Sequence, residues 1–232
     1  MEKFTISIIT PILNEEATIG KLLKHLIENS SEENISEIIV VDGGSTDQSE
    51  SIVKKFPNVN FLKSDKGRAK QMNAGAKFAK GNIFYFLHAD TFPPKHFDQL
   101  IINEVSNGNL AGCFKMKFDS DHWWLKLASW LTQFRWRACR GGDQSQFIAK
   151  ELFNNIGGFD EQFTVYEDND FINKLYVLNQ FVVIQHWITT SARRYETNGV
   201  WKLQYHFWMI YIKKWFGASA DELFGYYKKN IS

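Results

Sequence analysis

The feature that most constrains the fold is a regular alternation of short β-branched runs with segments of helical apolar spacing in the first part of the chain. The β-branched runs predict buried strands over residues 4–13, 38–41, 59–62 and 83–87. The segments between them predict helices over residues 15–28, up to residue 55 and over residues 67–80, with Asn14 and either Thr46 or Asp47 as N-caps and Gly81 as a C-terminal stop. This alternation predicts an α/β fold with a mainly parallel sheet flanked by helices.

After Asp90 the alternation becomes less regular. The pattern there predicts helices over residues 97–105, 123–136, 168–178, 200–216 and 220–229, and strands over residues 110–118, 145–148 and 181–185. The 232 residues contain no internal repeat, no low-complexity segment and no linker-like stretch. We therefore expect one domain over residues 1–232.

Composition excludes several classes of protein. The net charge is +1 at pH 7, without the basic stripe of a dedicated nucleic-acid binder. Cys113 and Cys139 are too few for a disulfide scaffold and badly spaced for a zinc site. We expect no signal peptide, and no uncharged apolar run of about 18 residues is present. These features predict a cytoplasmic protein that binds no nucleic acid.

Polar residues follow three of the predicted strands at the point where each strand ends. Asn14 and Glu15 follow the first strand, Asp42 ends the second, and His88 and Asp90 follow the fourth. Ligands of such sheets bind beyond the carboxyl ends of the strands, so one pocket can collect all three groups. A lone carboxylate at a strand end is most often a turn residue. Asp90, however, follows a predicted buried strand at residues 83–87. Mg²⁺ or Mn²⁺ often binds one or two carboxylates together with substrate phosphates.

Two further polar segments are candidates for chemistry. Asp42 can accept hydrogen bonds from a base or a ribose, and the N-terminus of the helix that begins near Arg68 is a potential anion site, although a solvated basic turn explains it equally well. Glu167, Asp168 and Asp170 form an acidic cluster at a predicted helix start. Helix capping explains some of these acids. One of them is a candidate general base for an acceptor hydroxyl.

The order of these motifs resembles the family 2 glycosyltransferases, which are inverting enzymes with the GT-A fold. The resemblance rests on the motifs IITPILNEE at 8–16, VVDGGSTD at 40–47, GRAKQMNAG at 67–75, LHADT at 87–91 and EDND at 167–170. Within that family, LHADT together with GGDQ at 141–144 and TSARRY at 190–195 resembles a small soluble bacterial branch. The resemblance implies a nucleotide-sugar-binding half over residues 1–92, an acceptor-binding half over 93–198 and C-terminal aromatic helices over 199–232.

The resemblance also implies roles for individual residues. Asp42 would hold the base, usually uracil, Asp90 would bind Mg²⁺ or Mn²⁺, and Asp168 would be the catalytic base. The other implied nucleotide-binding residues are Pro11, Asn14, Glu15, Arg68, Gln71, Asn73, His88 and Ala89. The acceptor candidates are Asp143, Gln144, Glu167, Arg193 and Arg194. The usual metal motif of this family is Asp-X-Asp, and His88 replaces its first Asp, which bears on metal identity more than on the reaction class.

Aromatic residues make up 16% of the chain, with 8 Trp and 20 Phe. Many lie in the predicted helices 123–136 and 200–216, where packing against the sheet competes with an amphipathic helix that rests on a membrane. A membrane contact at the inner face of the cell membrane would suit a lipid-linked acceptor. Arg137 and Arg140 are candidates for binding a phosphate or carboxylate. The sequence does not decide whether the chain forms a homodimer.

The residues after the first strand bear on alternative functions. A sugar-nucleotide pyrophosphorylase needs a glycine-rich basic loop after the first strand, and a dinucleotide-binding dehydrogenase needs Gly-X-Gly-X-X-Gly there. The sequence has Pro-Ile-Leu-Asn-Glu at residues 11–15, which argues against both. A non-catalytic nucleotide-sugar-binding protein with the same fold stays open. We therefore expect a glycosyltransferase that uses a nucleotide-diphosphate sugar, with a UDP-sugar favoured and the acceptor undefined.

Overall fold

A computed structural model describes residues 3–141 and 144–231. Within these residues one eight-stranded sheet has the order β3-β2-β1-β4-β7-β6-β8-β5. Its strands are β1 (Ile6–Ile12), β2 (Ile35–Asp42), β3 (Val59–Lys63), β4 (Ile83–Phe86), β5 (Thr91–Phe92), β6 (Ala111–Phe118), β7 (Gln146–Ala149) and β8 (Val182–Thr190). Strands β1 to β4 are mutually parallel, whereas β7 runs antiparallel to both β4 and β6. The predicted α/β fold with a mainly parallel sheet is confirmed.

Helices surround this sheet. They are α1 (Ile19–Asn29), α2 (Ser49–Val53), α3 (Arg68–Phe78), α4 (Phe97–Ser106), α5 (Trp123–Leu131), α6 (Lys150–Asn155), α7 (Glu167–Val177), α8 (Arg193–Asn198), α9 (Val200–Trp215) and α10 (Ala220–Asn230). Short 3₁₀ turns occupy Glu32–Asn34 and Arg137–Cys139. Strand β5 and helices α6 and α8 were not predicted, and each is a short segment with little periodicity to detect.

The sheet separates two apolar layers because successive residues of a strand point to opposite faces. Ile8 and Tyr85 pack with α1 and α4 on one face, whereas Ile9, Phe84 and Phe86 pack with α3 and α7 on the other. All seven residues of β1 are buried, as expected for a central parallel strand covered on both faces. This packing fixes the carboxyl ends of β1, β2 and β4 side by side at one edge.

Several predicted helix ends were wrong. Helix α1 begins at Ile19 after Thr18, so Asn14 is not its N-cap. Helix α2 begins only at Ser49, and its N-cap residue makes no side-chain capping bond. Helix α3 ends at Phe78, and Gly81 is required instead for a close approach, because a Cβ there would lie 2.7 Å from Ser7 Oγ. Helix α5 ends at Leu131 rather than at residue 136.

The C-terminal helices share a third apolar cluster with α5 and the segment before α7. Leu125, Leu203, Ile210 and Leu223 are among its buried members. Helix α10 is fixed at its start by a capping box, in which Ser219 Oγ accepts from Glu222 N and the Glu222 carboxylate accepts from Ser219 N. Across the described ranges, no helix combines the length and apolar character needed to span a bilayer.

Candidate active site

The loops that follow β1 and β2 are bonded to each other. Ser45 Oγ accepts a hydrogen bond from Asn14 N at 2.9 Å and donates one to Asp42 Oδ1. Asn14 Oδ1 in turn accepts from Thr46 N at 2.8 Å, and Asn14 has a left-handed φ of 57°. Asp42 is only 2% exposed, and Ser45 N also donates to its carboxylate. These bonds hold the Asp42 carboxylate at the sheet edge.

Ser45 was not singled out from the sequence as a site residue. Its hydroxyl connects Asn14 and Asp42, which belong to different strand ends and are 28 positions apart in the printed sequence. A serine after Asp-Gly-Gly is typical of a turn, so the sequence carries no separate signal for this bridging role.

Gln71 and Gly75 of α3 lie beneath this edge of the sheet. The Gln71 amide donates to Ile12 O at 2.8 Å and to Val41 O at 2.7 Å, and the residue is 3% exposed. A Cβ at Gly75 would lie 2.5 Å from Ile9 Cγ2, so α3 approaches the sheet closely at this point. Both amide hydrogens of Gln71 are therefore used on backbone carbonyls, and the side chain fixes the spacing of the two strand ends.

Three predicted nucleotide-binding residues have side chains directed into the protein. Asn73 donates to Phe159 O and accepts from Phe159 N, at 2.9 and 3.0 Å, so its amide is bound to the turn before α7. Ala89 is 4% exposed and packs in the core, and Pro11 is buried within β1. The hydrogen-bonding groups of Asn73 are directed to this turn, and its contact with a nucleotide stays a prediction.

The two halves of the predicted site meet at the start of α7. His88 Nε2, just after β4, lies 3.8 Å from Asp168 Oδ2, and Arg68 Nη1 lies 3.7 Å from Glu167 Oε1. Glu167 and Asp168 are 3% and 7% exposed. As the first residues of α7, their carboxylates are stabilised by the helix macrodipole. The fold thus brings residues about 80 to 100 positions apart into one acidic and basic cluster.

The residue before this cluster adopts an unusual backbone conformation. Tyr166 has a φ of 84°, in the left-handed region that favours glycine, and it precedes the first residue of α7. Its ring contacts that of Tyr211 in α9, with centroids 5.7 Å apart. A non-glycine residue held at positive φ costs on the order of 1–3 kcal/mol and often marks a functional segment. Nothing in the sequence signals this feature, because tyrosine is not a typical left-handed residue.

Asp90 is half-buried beside β5 and β8. Its carboxylate accepts from Thr91 Oγ1 at 3.4 Å, and its backbone carbonyl accepts from Ser191 N at 3.2 Å. Among the residues that the structure describes, no group of three or more His, Cys, Asp or Glu could enclose a metal ion. Mg²⁺ commonly keeps one or two carboxylates and takes its other ligands from water and substrate phosphates. A single carboxylate such as that of Asp90 fits that mode of binding.

The acceptor candidates are dispersed. Arg193 Nη2 lies 3.3 Å from the Glu15 carboxylate, which joins α8 to the loop after β1. Arg194 instead donates to Tyr227 Oη at 2.6 Å and packs among the C-terminal helices, so its predicted acceptor role is not supported by its direction. Gln144 is 2% exposed and accepts from Gly141 N at 3.3 Å. Asp143 lies outside the described residues.

Two arginines considered for phosphate binding have structural partners instead. Arg140 is 3% exposed, and its guanidinium donates to Thr132 O and Phe134 O, so it holds the end of the α5 segment. Arg137 donates to Asn173 Oδ1 at 2.6 Å and to Asn169 O at 3.0 Å. The prediction that Arg140 faces a ligand is wrong, because its side chain is enclosed.

Comparison with known proteins agrees with this architecture. The sequence profile described as Glycosyl transferase family 2 matches residues 7–167, which is more than half of the chain. The probable glycosyltransferase YdaM of Bacillus subtilis (strain 168) is 25% identical over 228 residues, covering 88% of this chain and 54% of YdaM. An undecaprenyl-phosphate 4-deoxy-4-formamido-L-arabinose transferase of Proteus mirabilis (strain HI4320) is 27% identical, covering 53% of this chain and 40% of the relative. The chain thus spans about half the length of these relatives.

Solved structures show the same fold. Residues 1–349 of S. aureus TarS, crystallised with UDP, superpose with a TM-score of 0.66 at 21% identity, covering 82% of this chain and 61% of TarS. The mannosyltransferase PcManGT of Pyrobaculum calidifontis, in complex with GDP-Man and Mn²⁺, gives 0.67 at 18% identity, covering 90% and 61%. The sheet and its neighbours define a GT-A fold, as predicted. The chain belongs to glycosyl transferase family 2.

Proposed function

We propose that this chain transfers a sugar from a nucleotide-diphosphate donor to an acceptor hydroxyl with inversion at the anomeric carbon. The observation that carries the proposal is the meeting of the two halves at the sheet edge. His88 follows a nucleotide-side strand and lies 3.8 Å from the Asp168 carboxylate at the start of α7. Arg68 makes a parallel contact with Glu167 at 3.7 Å. A donor on the first half would therefore present its sugar toward a buried carboxylate.

The donor is proposed to be a UDP-sugar. Asp42 and Asn14 are fixed by Ser45 at the sheet edge, where they can accept and donate hydrogen bonds to a base and ribose. The structural relatives include TarS with UDP and PcManGT with GDP-Man, so both uridine and guanosine nucleotides are tested below. Arg68 at the N-terminus of α3 supplies positive charge for a diphosphate.

Asp168 is proposed as the general base. The acceptor hydroxyl loses its proton to the Asp168 carboxylate as its oxygen bonds to the anomeric carbon, and the bond from that carbon to the diphosphate breaks on the opposite face. His88 Nε2 lies 3.8 Å from Asp168 Oδ2, and we propose that His88 helps to orient this carboxylate. Asp90 is the proposed ligand of Mg²⁺ or Mn²⁺, which when bound neutralises charge on the leaving diphosphate.

The acceptor class is proposed from the relatives rather than from the site. The name of the Proteus relative contains undecaprenyl-phosphate, and that of a Methanococcus voltae relative, 31% identical over 99 residues, contains a dolichyl phosphate compound. These names favour a lipid-linked acceptor for this chain. We propose that Gln144 and Arg193 take part in binding this acceptor.

The proposal is tested by calorimetric titration of UDP, GDP and their sugar conjugates with and without Mn²⁺. We expect one nucleotide sugar to bind with a metal dependence that Asp90→Ala removes. Donor hydrolysis that depends on metal would separate an enzyme from a non-catalytic nucleotide-sugar-binding protein. If no nucleotide binds at millimolar concentration, the proposed donor pocket is wrong.

The role of Asp168 needs a matched control from the same helix turn. Asp168→Asn should lower turnover by about 10²-fold or more, the range of a general base, while donor affinity is retained. Asp170→Asn is the control, because Asp170 lies in the same turn and forms an ion pair with Lys174 at 3.2 Å. An equal loss of donor binding in Asp168→Asn, or an equal loss of turnover in both variants, would contradict the base assignment.

A further inference from the structure

Helix α9 exposes an apolar stripe along its whole length. Trp201, Trp208 and Trp215 are 50%, 45% and 85% exposed. Tyr205 and Ile212 continue the same spacing of three and four residues, which places all five on one side of the helix. A helix that is packed against a core on one side normally shows polar residues on the other, so this stripe requires an explanation.

The opposite side of α9 already has its packing partners. Leu203 and Ile210 are 1% and 3% exposed and belong to the C-terminal apolar cluster. His206 bonds to Tyr226 Oη at 2.8 Å, and Lys213 lies over the Tyr226 ring, so α10 also covers this side. The exposed stripe is therefore a second apolar side of the helix.

Helix α5 adds exposed aromatic residues and meets the stripe at Trp201. Trp123 and Trp130 are 60% and 51% exposed, and the Trp123 ring centroid lies 5.7 Å from that of Trp201. We call this surface the aromatic face and define it by its most exposed members. They are Trp123, Trp130, Trp201, Trp208, Trp215 and Phe216. Phe216, at the end of α9, is 82% exposed.

The segments that form the aromatic face carry only positive charge. Residues 122–141 and 200–220 contain no Asp or Glu, whereas the whole chain has 27 Lys and Arg against 26 Asp and Glu. Helix α9 itself contains three lysines and no acidic residue, and Lys202 is exposed beside the stripe. This positive charge favours an anionic partner.

Tryptophan is the residue that best distinguishes between possible partners of such a surface. Its ring is apolar while its N–H seeks a hydrogen bond, so it is enriched at the boundary between lipid and water. Lysine beside tryptophan on a helix is typical of helices that lie in the plane of an anionic membrane. With about 1.5 Å per residue, the stripe from Trp201 to Trp215 extends about 20 Å, enough to rest along a bilayer.

We propose that the aromatic face docks on the surface of an anionic lipid bilayer, with α9 lying in the plane of the interface. Tyr211 of the same helix donates to Asn169 Oδ1 at 3.2 Å, and Asn169 follows Asp168. Docking would therefore keep the start of α7 close to the lipid surface. This last consequence rests on the proposed function, whereas lipid binding itself does not.

The test is flotation of the purified chain with vesicles in the absence of any donor. Vesicles of phosphatidylcholine are compared with vesicles that contain about one-third phosphatidylglycerol. We expect binding to the anionic vesicles, and Trp215→Ser/Phe216→Ser should weaken it by at least tenfold. Val177→Ser is the matched control, because Val177 is 85% exposed at the end of α7 and is outside the aromatic face. It should bind as the wild type does.

A second variant tests the charge component. Lys202→Gln should weaken binding to anionic vesicles by about fivefold, the contribution expected of one cation at such a surface. Lys202 is chosen rather than Lys126, because Lys126 is paired with Asp121 at 2.7 Å. The variants leave the proposed donor site unchanged, so nucleotide affinity measured on them separates a failure of this inference from a failure of the proposed function.

Three results would overturn the inference. One is an absence of vesicle binding at millimolar lipid, and another is equal loss of binding in Val177→Ser and in Trp215→Ser/Phe216→Ser. The third is a wild-type dimer in analytical ultracentrifugation that becomes monomeric in Trp215→Ser/Phe216→Ser, because the aromatic face would then join two copies of the chain.

Discussion

Replacement of Gly75 by alanine tests how closely α3 must approach the sheet beneath the proposed nucleotide site. The added Cβ would lie 2.5 Å from Ile9 Cγ2 and 3.1 Å from Val41 Cγ2. The nearer atom is attached directly to the Ile9 Cβ, and Ile9 is paired in the sheet with both β2 and β4. The clash therefore cannot be relieved by turning the end of a flexible side chain.

The expected change has two opposing parts. Alanine is favoured over glycine in a helix interior by about 1 kcal/mol, which would stabilise the protein. Overpacking of a tight core costs about 1–3 kcal/mol, and an atom more than 1 Å inside normal contact distance belongs at the upper end. We therefore expect Gly75→Ala to lower the free energy of unfolding by about 1–2 kcal/mol.

Gly225 offers a matched control in α10, because it is also inside a helix and a Cβ there would meet nothing within 4 Å. Gly225→Ala should raise stability by up to about 1 kcal/mol. Urea unfolding followed by circular dichroism measures both changes, and in a chain of this size each kcal/mol shifts Tm by about 2–4 °C. Equal stabilisation by the two substitutions would refute the close approach of α3.

Four further predictions concern other parts of the chain. Ser45→Ala removes the hydroxyl that orients Asp42 and should weaken nucleotide binding in calorimetry by about tenfold, the effect of one lost hydrogen bond; unchanged affinity would contradict this role. Arg193→Gln should change the free energy of unfolding by under about 1 kcal/mol, because its ion pair is solvent-accessible, and a larger loss in urea titrations would contradict that interpretation. Burial raises the pKa of the Cys113 thiol to about 11 from its ordinary 9.0. Because the unfolded thiol ionises first, stability should fall as pH rises from 9 to 11, and the fall should be smaller in Cys113→Ala; equal pH dependence in both proteins would argue against the shift. Native alkylation read by mass spectrometry should modify half-buried Cys139 before Cys113, and the reverse order would contradict the burial.

The strands of the first half were predictable because their signal is local. Residues Ile6–Ile12 and Ile83–Phe86 are buried on both faces, and a continuous β-branched or aromatic run is what such a strand requires. The start of α1 was not predictable in the same way. Asn14 has a side chain that is common at N-caps, but its Oδ1 accepts a hydrogen bond from Thr46 N of another loop. That partner is a tertiary contact, and residue spacing within one helix contains no information about it.

The same distinction between local signals and distant partners applies within the candidate site. His88 and Asp168 were each chosen from a motif, and the fold places them 3.8 Å apart. Gln71 and Asn73 were chosen from the same motif, yet their amides bind backbone groups of β1, β2 and the turn at Phe159. A motif therefore identifies the neighbourhood of a site, whereas the direction of each amide depends on partners far away in the sequence.

The aromatic helices show a limit of a different kind. From sequence, core packing and membrane contact competed as explanations of α9, because its apolar residues leave few polar positions. The structure assigns Leu203 and Ile210 to the core and leaves Trp201 and Trp215 exposed, so core packing accounts for only one side of the helix. Packing within the described residues does not cover the other side. Its tryptophans and the cations beside it favour a lipid surface, since a bilayer interface accepts indole rings and lysines together.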